Sequence, residues 1–305
     1  MRTTVTYLAL LAGAGLLGAQ TAGPKMFHTP EEARDGLIQA AAKGLDAIKE
    51  MMGPGSADIL RTGDEVADNN LLEKFKTRIA EKTALEPDEM NRDRATLLIG
   101  NEEWPFAVPL IRKNGQWYFD AKEGKAEIRR RVIGANELDA MQVCRGYVEA
   151  QEMYAEKDRD GKGVLQYAAK IASSPGKKDG LYWPSDDSPI AESVAKAIAQ
   201  GYPAPTGTGK GYHGYQYKIL LAQGPDALDG EQDYVAHGLM IGGFAMVAWP
   251  VEYGVSGIMS FIVNQDGTVY EKDLGPQTAA LARAMTKFNP DKSWRVSPDS
   301  PDSPE

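Results

Sequence analysis

The densest group of aromatic and titratable side chains in this chain is Tyr212-His213-Gly214-Tyr215-Gln216-Tyr217. Histidine side chains titrate near neutral pH, so His213 could act as a general acid or base. A strand here would place His213, Tyr215 and Tyr217 on one face. Such a face either stacks against a sugar or a peptide, or packs half-buried beneath a helix.

A second aromatic group lies in the predicted loop Gly180-Leu181-Tyr182-Trp183-Pro184. Large aromatic side chains in a loop either close the edge of a core or form a binding surface. Tyr182, Trp183, His213 and Tyr215 are therefore the candidate ligand-binding residues, and His213 is the candidate catalytic residue if the protein has one.

Three other patterns are incomplete as catalytic or metal motifs. Gly254-Val255-Ser256-Gly257 places its last glycine one position too early for a nucleophile elbow, and a strand follows instead of a helix. Asp158-Arg159-Asp160-Gly161 resembles part of a calcium loop, but Tyr167 occupies the position of the required carboxylate. Glu102 and Glu103 are adjacent, so in a strand they would point to opposite sides.

The residues that usually hold metals or cofactors are sparse. The three histidines, His28, His213 and His237, are far apart and lack metal-ligand spacing. The single cysteine, Cys144, falls on the apolar side of a predicted helix, which indicates a buried and inert thiol. Gly207-Thr208-Gly209-Lys210-Gly211 lacks the spacing of a phosphate-binding loop. The sequence predicts no metal and no cofactor.

The N-terminal residues have the pattern of an export signal. Arg2 precedes an apolar stretch, Val5–Leu17, which the small residues Gly18 and Ala19 follow. This stretch is too short for the roughly 20 residues that span a bilayer, although an uncleaved anchor is the alternative. We therefore predict a signal peptide over 1–19, cleavage after Ala19, and a periplasmic or secreted protein.

The net charge of −9 argues against nucleic acid and anionic membranes as partners. A lone cysteine cannot form an internal disulfide, so the exported chain must be stabilised by its core.

Helices precede strands in the first predicted domain, which covers 27–133 after a linker over 20–26. Thr29-Pro30-Glu31-Glu32 is typical of a helix N-terminus. Helices are predicted over about 30–42, 45–52 and 70–83, and strands over 95–99, 106–111 and 117–119, with Asn114-Gly115 as a hairpin turn. This α+β pattern, helices and then a curved antiparallel sheet, resembles nuclear transport factor 2.

The second predicted domain, 134–296, begins with a long helix over 136–157 capped by Asn136. The other predicted elements are helices over 164–172, from Ser188 to near Gly201 and over 277–288, and strands over 212–222, 239–248, 258–263 and 268–272. A long helix against an antiparallel meander resembles the globular part of type IV pilins. The tail, 297–305, is rich in Pro, Ser and Asp and is predicted to be disordered and acidic.

Several distinctive runs are distributed along the chain: Ile99-Gly100-Asn101-Glu102-Glu103-Trp104-Pro105-Phe106-Ala107-Val108-Pro109-Leu110, Gly115-Gln116-Trp117-Tyr118-Phe119-Asp120, Ser174-Pro175-Gly176-Lys177-Lys178-Asp179-Gly180-Leu181-Tyr182-Trp183, Tyr212-His213-Gly214-Tyr215, Ile241-Gly242-Gly243-Phe244 and Glu252-Tyr253-Gly254-Val255-Ser256-Gly257. Together they resemble the bacterial family catalogued as domain of unknown function 2950. The resemblance implies an exported protein and brings no reaction, cofactor or catalytic residue.

These observations favour an exported, non-catalytic binding or assembly module of the cell envelope. Its expected partner is an envelope protein or a glycan, with no nucleic acid and no stable membrane insertion after signal cleavage. The alternative is an envelope hydrolase or isomerase that uses His213 and a nearby carboxylate at the domain junction.

Overall fold

The computed structural model describes residues 23–60, 65–190, 211 and 213–298. The predicted signal peptide, most of the predicted tail and almost all of the helix predicted from Ser188 lie outside these residues. The fold is α+β, with helices and antiparallel sheets. Two compact units divide between Ile128 and Arg129, whereas the sequence-based division was between 133 and 134.

The first unit begins with four helices: α1 (Pro30–Lys43), α2 (Leu45–Met52), α3 (Ala57–Leu60) and α4 (Glu65–Glu81). The predicted start of α1 is confirmed. The Thr29 hydroxyl accepts a 3.1 Å hydrogen bond from the Glu32 N–H, and the Glu32 carboxylate accepts one from the His28 N–H at 2.9 Å. These reciprocal bonds satisfy amides that the helix itself leaves without partners.

The sheet of the first unit contains β1 (Thr83–Pro87), β2 (Arg94–Ile99), β3 (Trp104–Pro105), β4 (Leu110–Lys113) and β5 (Gln116–Phe119). It is antiparallel in the order β1-β2-β4-β5, and β3 also pairs with β2. The hairpin turn is confirmed, since Asn114 and Gly115 both have positive φ, 52° and 79°. The predicted strand over 106–111 was wrong for residues 106–109, and β1 was not predicted.

The long helix α5 covers Ala121–Ala155, so its predicted start at 136 was wrong. The true start carries a cap that the sequence does contain, because the Asp120 carboxylate accepts a 3.0 Å bond from the Glu123 N–H. Asn136 lies inside the helix and does not cap it. The residues of α5 up to Ile128 belong to the first unit and the rest to the second.

The main sheet of the second unit is antiparallel in the order β14-β13-β12-β11-β6. Two short ribbons, β7 with β8 and β9 with β10, accompany it, and a 3₁₀ turn at Gly275–Gln277 leads into α6 (Thr278–Ala284). The side chains of Trp249, Tyr217 and Phe261 are fully buried in the core. The strands are β6 (Tyr215–Leu220), β7 (Ala222–Gln223), β8 (Gln232–Asp233), β9 (Val235–Ala236), β10 (Leu239–Met240), β11 (Ala245–Pro250), β12 (Met259–Asn264), β13 (Tyr270–Asp273) and β14 (Arg295–Val296).

Two further predictions for the second unit were wrong. Residues 164–172 form no helix, because the buried Gln151 side chain pairs with both backbone groups of Ala168, each at 2.8 Å. The predicted disorder from 297 onward is wrong for Ser297, which is buried and donates its N–H to the Val269 carbonyl at 2.9 Å.

Across residues 23–60, 65–190, 211 and 213–298, we found no helix with the combined length and apolar character needed to cross a membrane.

Candidate functional site

His213 lies in the turn before β6 and not in a strand, so the prediction that it shares a face with Tyr215 was wrong. Its backbone is left-handed, with φ 47°. Its Nδ1 atom lies 2.6 Å from Oδ2 of Asp139, and the two side chains are 42% and 39% exposed. An imidazole at this distance from a carboxylate can hold or transfer a proton at the surface of the second unit.

The α5 turn that carries Asp139 also fixes the segment before β12. The Asn136 amide donates a 2.8 Å bond to the Ser256 carbonyl. The Glu137 carboxylate accepts bonds from the N–H groups of Ile258 and Met259 at 2.8 and 3.0 Å. The position that a Cβ at Gly214 would take is 2.7 Å from the Asn136 amide nitrogen, so the histidine turn packs directly against the same helix turn.

The loop Glu252–Gly257 uses its serine to hold its own backbone. The Ser256 hydroxyl accepts a 3.0 Å bond from the Glu252 N–H and donates a 3.2 Å bond to the Glu252 carbonyl. A Cβ at Gly257 would approach the Tyr215 hydroxyl to 2.2 Å, so only glycine fits there. These bonds define a serine-closed turn and not a nucleophile elbow.

Tyr215 is fully buried. Of the two alternatives for this strand, stacking against a ligand or packing inside the protein, Tyr215 follows the second. Its hydroxyl donates a 2.8 Å bond to the Met259 carbonyl. Burial, and then the nearby Glu137 carboxylate, raise the pKa of Tyr215 far above its usual value. In this structure Tyr215 supports the loop beside His213 and presents no surface to a ligand.

Trp183 is also a core residue, with 3% of its surface exposed. Its indole N–H donates a 2.7 Å bond to Asp187, and the Lys178 ammonium lies 4.9 Å from the ring centre. The hydrogen bond from Lys178, then those from Trp183 and Ser185, hold the pKa of Asp187 far below its usual range. Tyr182 is partly buried, and its N–H bonds to the Ile171 carbonyl at 2.8 Å. This loop closes the edge of the core, so the four predicted residues do not form one binding surface.

The sequence interpretation missed Trp104 as a candidate binding residue. Trp104 lies in β3 opposite Ile99, with 52% of its surface exposed. The residues before it form a turn in which the Glu103 N–H bonds to the Gly100 carbonyl at 3.1 Å. The available signal was a tryptophan between two glutamates and a proline, shortly after a strand whose alternate residues are buried.

Lys82 anchors this turn through two bonds. Its carbonyl accepts the Gly100 N–H at 2.9 Å, and its ammonium donates to the Glu103 carboxylate at 2.6 Å. This hydrogen bond and the lysine charge lower the pKa of Glu103. Glu103 has φ 54°, a conformation that costs energy in any residue other than glycine. Glu102 and Glu103 thus do not act as an acid/base pair, because Glu103 is tied to Lys82.

Two other predicted motifs are structural. Burial raises the pKa of Cys144 to about 12, which keeps its thiol protonated and inert. The Asp158 carboxylate accepts bonds from the N–H groups of Gly163 and Lys162 at 2.7 and 3.1 Å, which closes the turn after α5 and lowers the pKa of Asp158. In the part of the chain that the structure describes, no three His, Cys, Asp or Glu side chains form a group able to hold a metal ion.

The first unit also contains an apolar groove with a cavity of about 150 Å³. Hydrocarbon and aromatic side chains line it: Leu45, Ile48, Ile59, Leu71, Leu72, Phe75 and Phe106. Its volume fits a group the size of a benzene ring. Leu71, at 57% exposure, lies at the surface of this groove.

The fold and these sites define an α+β protein of two compact units, with the exposed Trp104 turn in the first unit and the exposed pair of His213 and Asp139 in the second. The chain belongs to the family described as Protein of unknown function (DUF2950), whose sequence profile matches residues 24–297. The resemblance drawn from the motifs is therefore confirmed. No curated protein and no solved structure matches the chain. The similarities to nuclear transport factor 2 and to pilins stay predictions.

Proposed function

We propose that this protein is exported to the cell envelope and acts there by binding a partner. The observation that carries the proposal is Trp104, which is half exposed on a turn that Lys82 fixes through two hydrogen bonds. Trp residues supply a large contact area at low conformational cost and are enriched where proteins bind partners. A turn that is already fixed needs no ordering on binding, so more of the contact energy appears as affinity.

Cosedimentation with isolated cell envelopes tests the binding proposal. We expect the purified protein to sediment with envelopes and Trp104→Ala to reduce the bound fraction at least several-fold. Met90→Ala is the matched control, because Met90 is 96% exposed in the same unit and makes few packing contacts. Equal sedimentation of the wild-type protein and Trp104→Ala would refute the proposal.

Export is tested separately by fractionation and mass spectrometry of the protein from its native cells. The proposal expects a periplasmic or secreted product that begins at Gln20. A cytosolic product that retains Arg2 would refute the export part while leaving the binding test unaffected.

A second candidate function, acid/base catalysis, is favoured by the 2.6 Å contact between His213 and Asp139. General acid/base catalysis contributes typically 10²–10⁴-fold to a rate. A screen for hydrolysis or isomerisation of envelope glycans and peptides tests it, with His213→Ala and Asp139→Asn expected to reduce any activity by about that factor. His237→Ala is the control, since His237 is exposed in the same unit. An activity that His213→Ala leaves unchanged would exclude this role.

A further inference from the structure

We propose that the Trp104 turn is a binding site for an uncharged sugar ring, such as one pyranose unit of a neutral glycan. This inference rests on the proposed binding function and names the ligand class of the same surface. The indole supplies an apolar face, and the axial C–H groups of a pyranose form a complementary face that stacks on it. The half of Trp104 that is exposed gives such a ring room to lie.

Polar groups beside the indole match the hydroxyl rim of a sugar. Asn101, Glu102 and Glu103 are all exposed and precede Trp104 directly. Carboxylates accept hydrogen bonds from hydroxyl groups, and a side-chain amide both donates and accepts. Bonds to ionised acceptors are among the strongest that a neutral ligand can make. A stacked ring at Trp104 would therefore find acceptors close to its edge.

The turn is preorganised, as sugar binding requires. Lys82 holds its first residue, Gly100, through the backbone and its last, Glu103, through the side chain. Glu103 is kept in a left-handed conformation, φ 54°, which the ion pair to Lys82 sustains. Sugars bind weakly per contact, so a site that needs no ordering on binding keeps most of that energy.

The charges around the turn favour a neutral ligand over an anionic one. A carboxylate oxygen of Glu81 and the Cβ of Arg78 lie near Gly100, 3.5 and 3.6 Å from the position that a Cβ there would take. With Lys82, Glu102 and Glu103, these side chains carry three negative and two positive charges, a local net charge of −1. The whole chain adds to this with a net charge of −9. Phosphate groups and uronic acids would be repelled at such a surface.

Isothermal titration of the full-length purified protein with three soluble probes tests the inference. Chitotetraose and cellotetraose are uncharged, and tetragalacturonate is the anionic comparison. We expect at least one uncharged probe to bind and tetragalacturonate to bind at least about tenfold more weakly. Trp104→Ala should weaken the binding at least about tenfold, the scale of a stacking anchor. Trp104→Phe keeps a smaller aromatic face and should weaken it by only about two- to fivefold.

Two matched variants show whether the effect belongs to the indole. Met90→Ala and Leu71→Ala remove exposed apolar side chains from the same unit, 96% and 57% exposed, and should leave sugar binding unchanged. Leu71 lines the apolar groove, so a loss with Leu71→Ala and not with Trp104→Ala would assign the ligand to the groove and overturn the inference. Thermal unfolding of each variant verifies its fold, and Trp104→Phe replaces Trp104→Ala if the latter is unfolded.

The outcomes separate this inference from the proposed function. Trp104-dependent sedimentation with envelopes, together with no binding of either uncharged probe, would overturn the sugar inference and leave the binding function standing. Sedimentation that does not depend on Trp104 would overturn both. An uncharged probe that binds wild type and Trp104→Ala equally would overturn the assignment of this site.

Discussion

Replacing Gln151 by Ala should destabilise the second unit strongly, because this side chain pairs with the backbone of Ala168 as a neighbouring strand would. Gln151 is fully buried, and its amide accepts the Ala168 N–H and donates to the Ala168 carbonyl, both at 2.8 Å. It also donates to the Tyr147 hydroxyl at 2.9 Å. Ala168 is itself buried, so water cannot replace the lost partners.

The magnitude follows from the two backbone groups that Gln151→Ala leaves without a partner. Each buried and unsatisfied group costs about 1–3 kcal/mol, which gives about 2–6 kcal/mol for the pair. For a unit of this size, about 1 kcal/mol corresponds to roughly 2–4 °C. The melting temperature should therefore fall by roughly 5–20 °C, and the Ala168 amide should lose its protection from hydrogen exchange.

Gln142→Ala is the matched control, because Gln142 is exposed on the same helix and undergoes the same chemical change. Its effect should stay within about 0.5 kcal/mol, the usual range for a surface substitution. Urea unfolding and amide exchange measure both variants. If Gln151→Ala costs less than about 1 kcal/mol and Ala168 remains protected, the assignment of this side chain as a surrogate strand is wrong.

Three further predictions test other contacts. Burial acts to raise the pKa of Asp179, but the hydrogen bonds from Lys170 and Ser174 outweigh it and hold that pKa far below its usual range. Asp179→Asn should therefore lower the free energy of unfolding at pH 7. Urea unfolding should show the difference in stability between wild type and Asp179→Asn shrinking as the pH falls below about 4. The Cys144 thiol, with its pKa raised to about 12, should resist Ellman's reagent at pH 8 in the native protein and react on unfolding; rapid native labelling would contradict this. Gly257→Ala should destabilise the protein by about 1–3 kcal/mol, because the new Cβ would meet the Tyr215 hydroxyl. Gly134→Ala is the control and should be neutral or stabilising, because no atom lies within 4 Å of the position its Cβ would take on α5. Thermal unfolding measures both variants.

Local sequence signals predicted those elements whose ends are fixed by neighbouring residues. Thr29 and Glu32 form the predicted cap of α1, and Asn114-Gly115 form the predicted hairpin turn, because each depends on side chains within a few positions. The start of α5 could have been predicted in the same way, since the Asp120 carboxylate caps the helix by accepting a hydrogen bond from the Glu123 N–H. Gly134, the first residue of the second predicted domain, lies inside α5, since an isolated glycine inside a long helix costs only about 1 kcal/mol.

Elements defined by distant partners could not be predicted from local patterns. Residues 164–172 have acceptable helix composition, but Gln151 binds the Ala168 backbone from 17 residues away, and no local pattern encodes that contact. Trp183 and Tyr215 posed the same problem. The local sequence around an aromatic residue in a loop or strand does not show whether its side chain is exposed or buried. Only the tertiary fold determines that Trp183 and Tyr215 are buried.

The two candidate sites share a feature that explains why the sequence pattern missed the Trp104 turn and placed His213 in a strand. Each is built on a turn in which a residue other than glycine has a left-handed backbone, Glu103 at φ 54° and His213 at φ 47°. Turns are usually recognised by Gly, Asn or Asp, so Glu and His at these positions give no turn signal. Glycine would fit both backbones without strain, yet here each side chain makes a polar contact at 2.6 Å, Glu103 with Lys82 and His213 with Asp139. Such contacts offset the conformational cost and fix the turn, and strained positions of this kind concentrate at functional sites. Asn114, Asp229 and His237 also have left-handed backbones, so it is the combination with a side-chain contact, and not the backbone strain alone, that directs the binding and activity tests to Trp104 and His213.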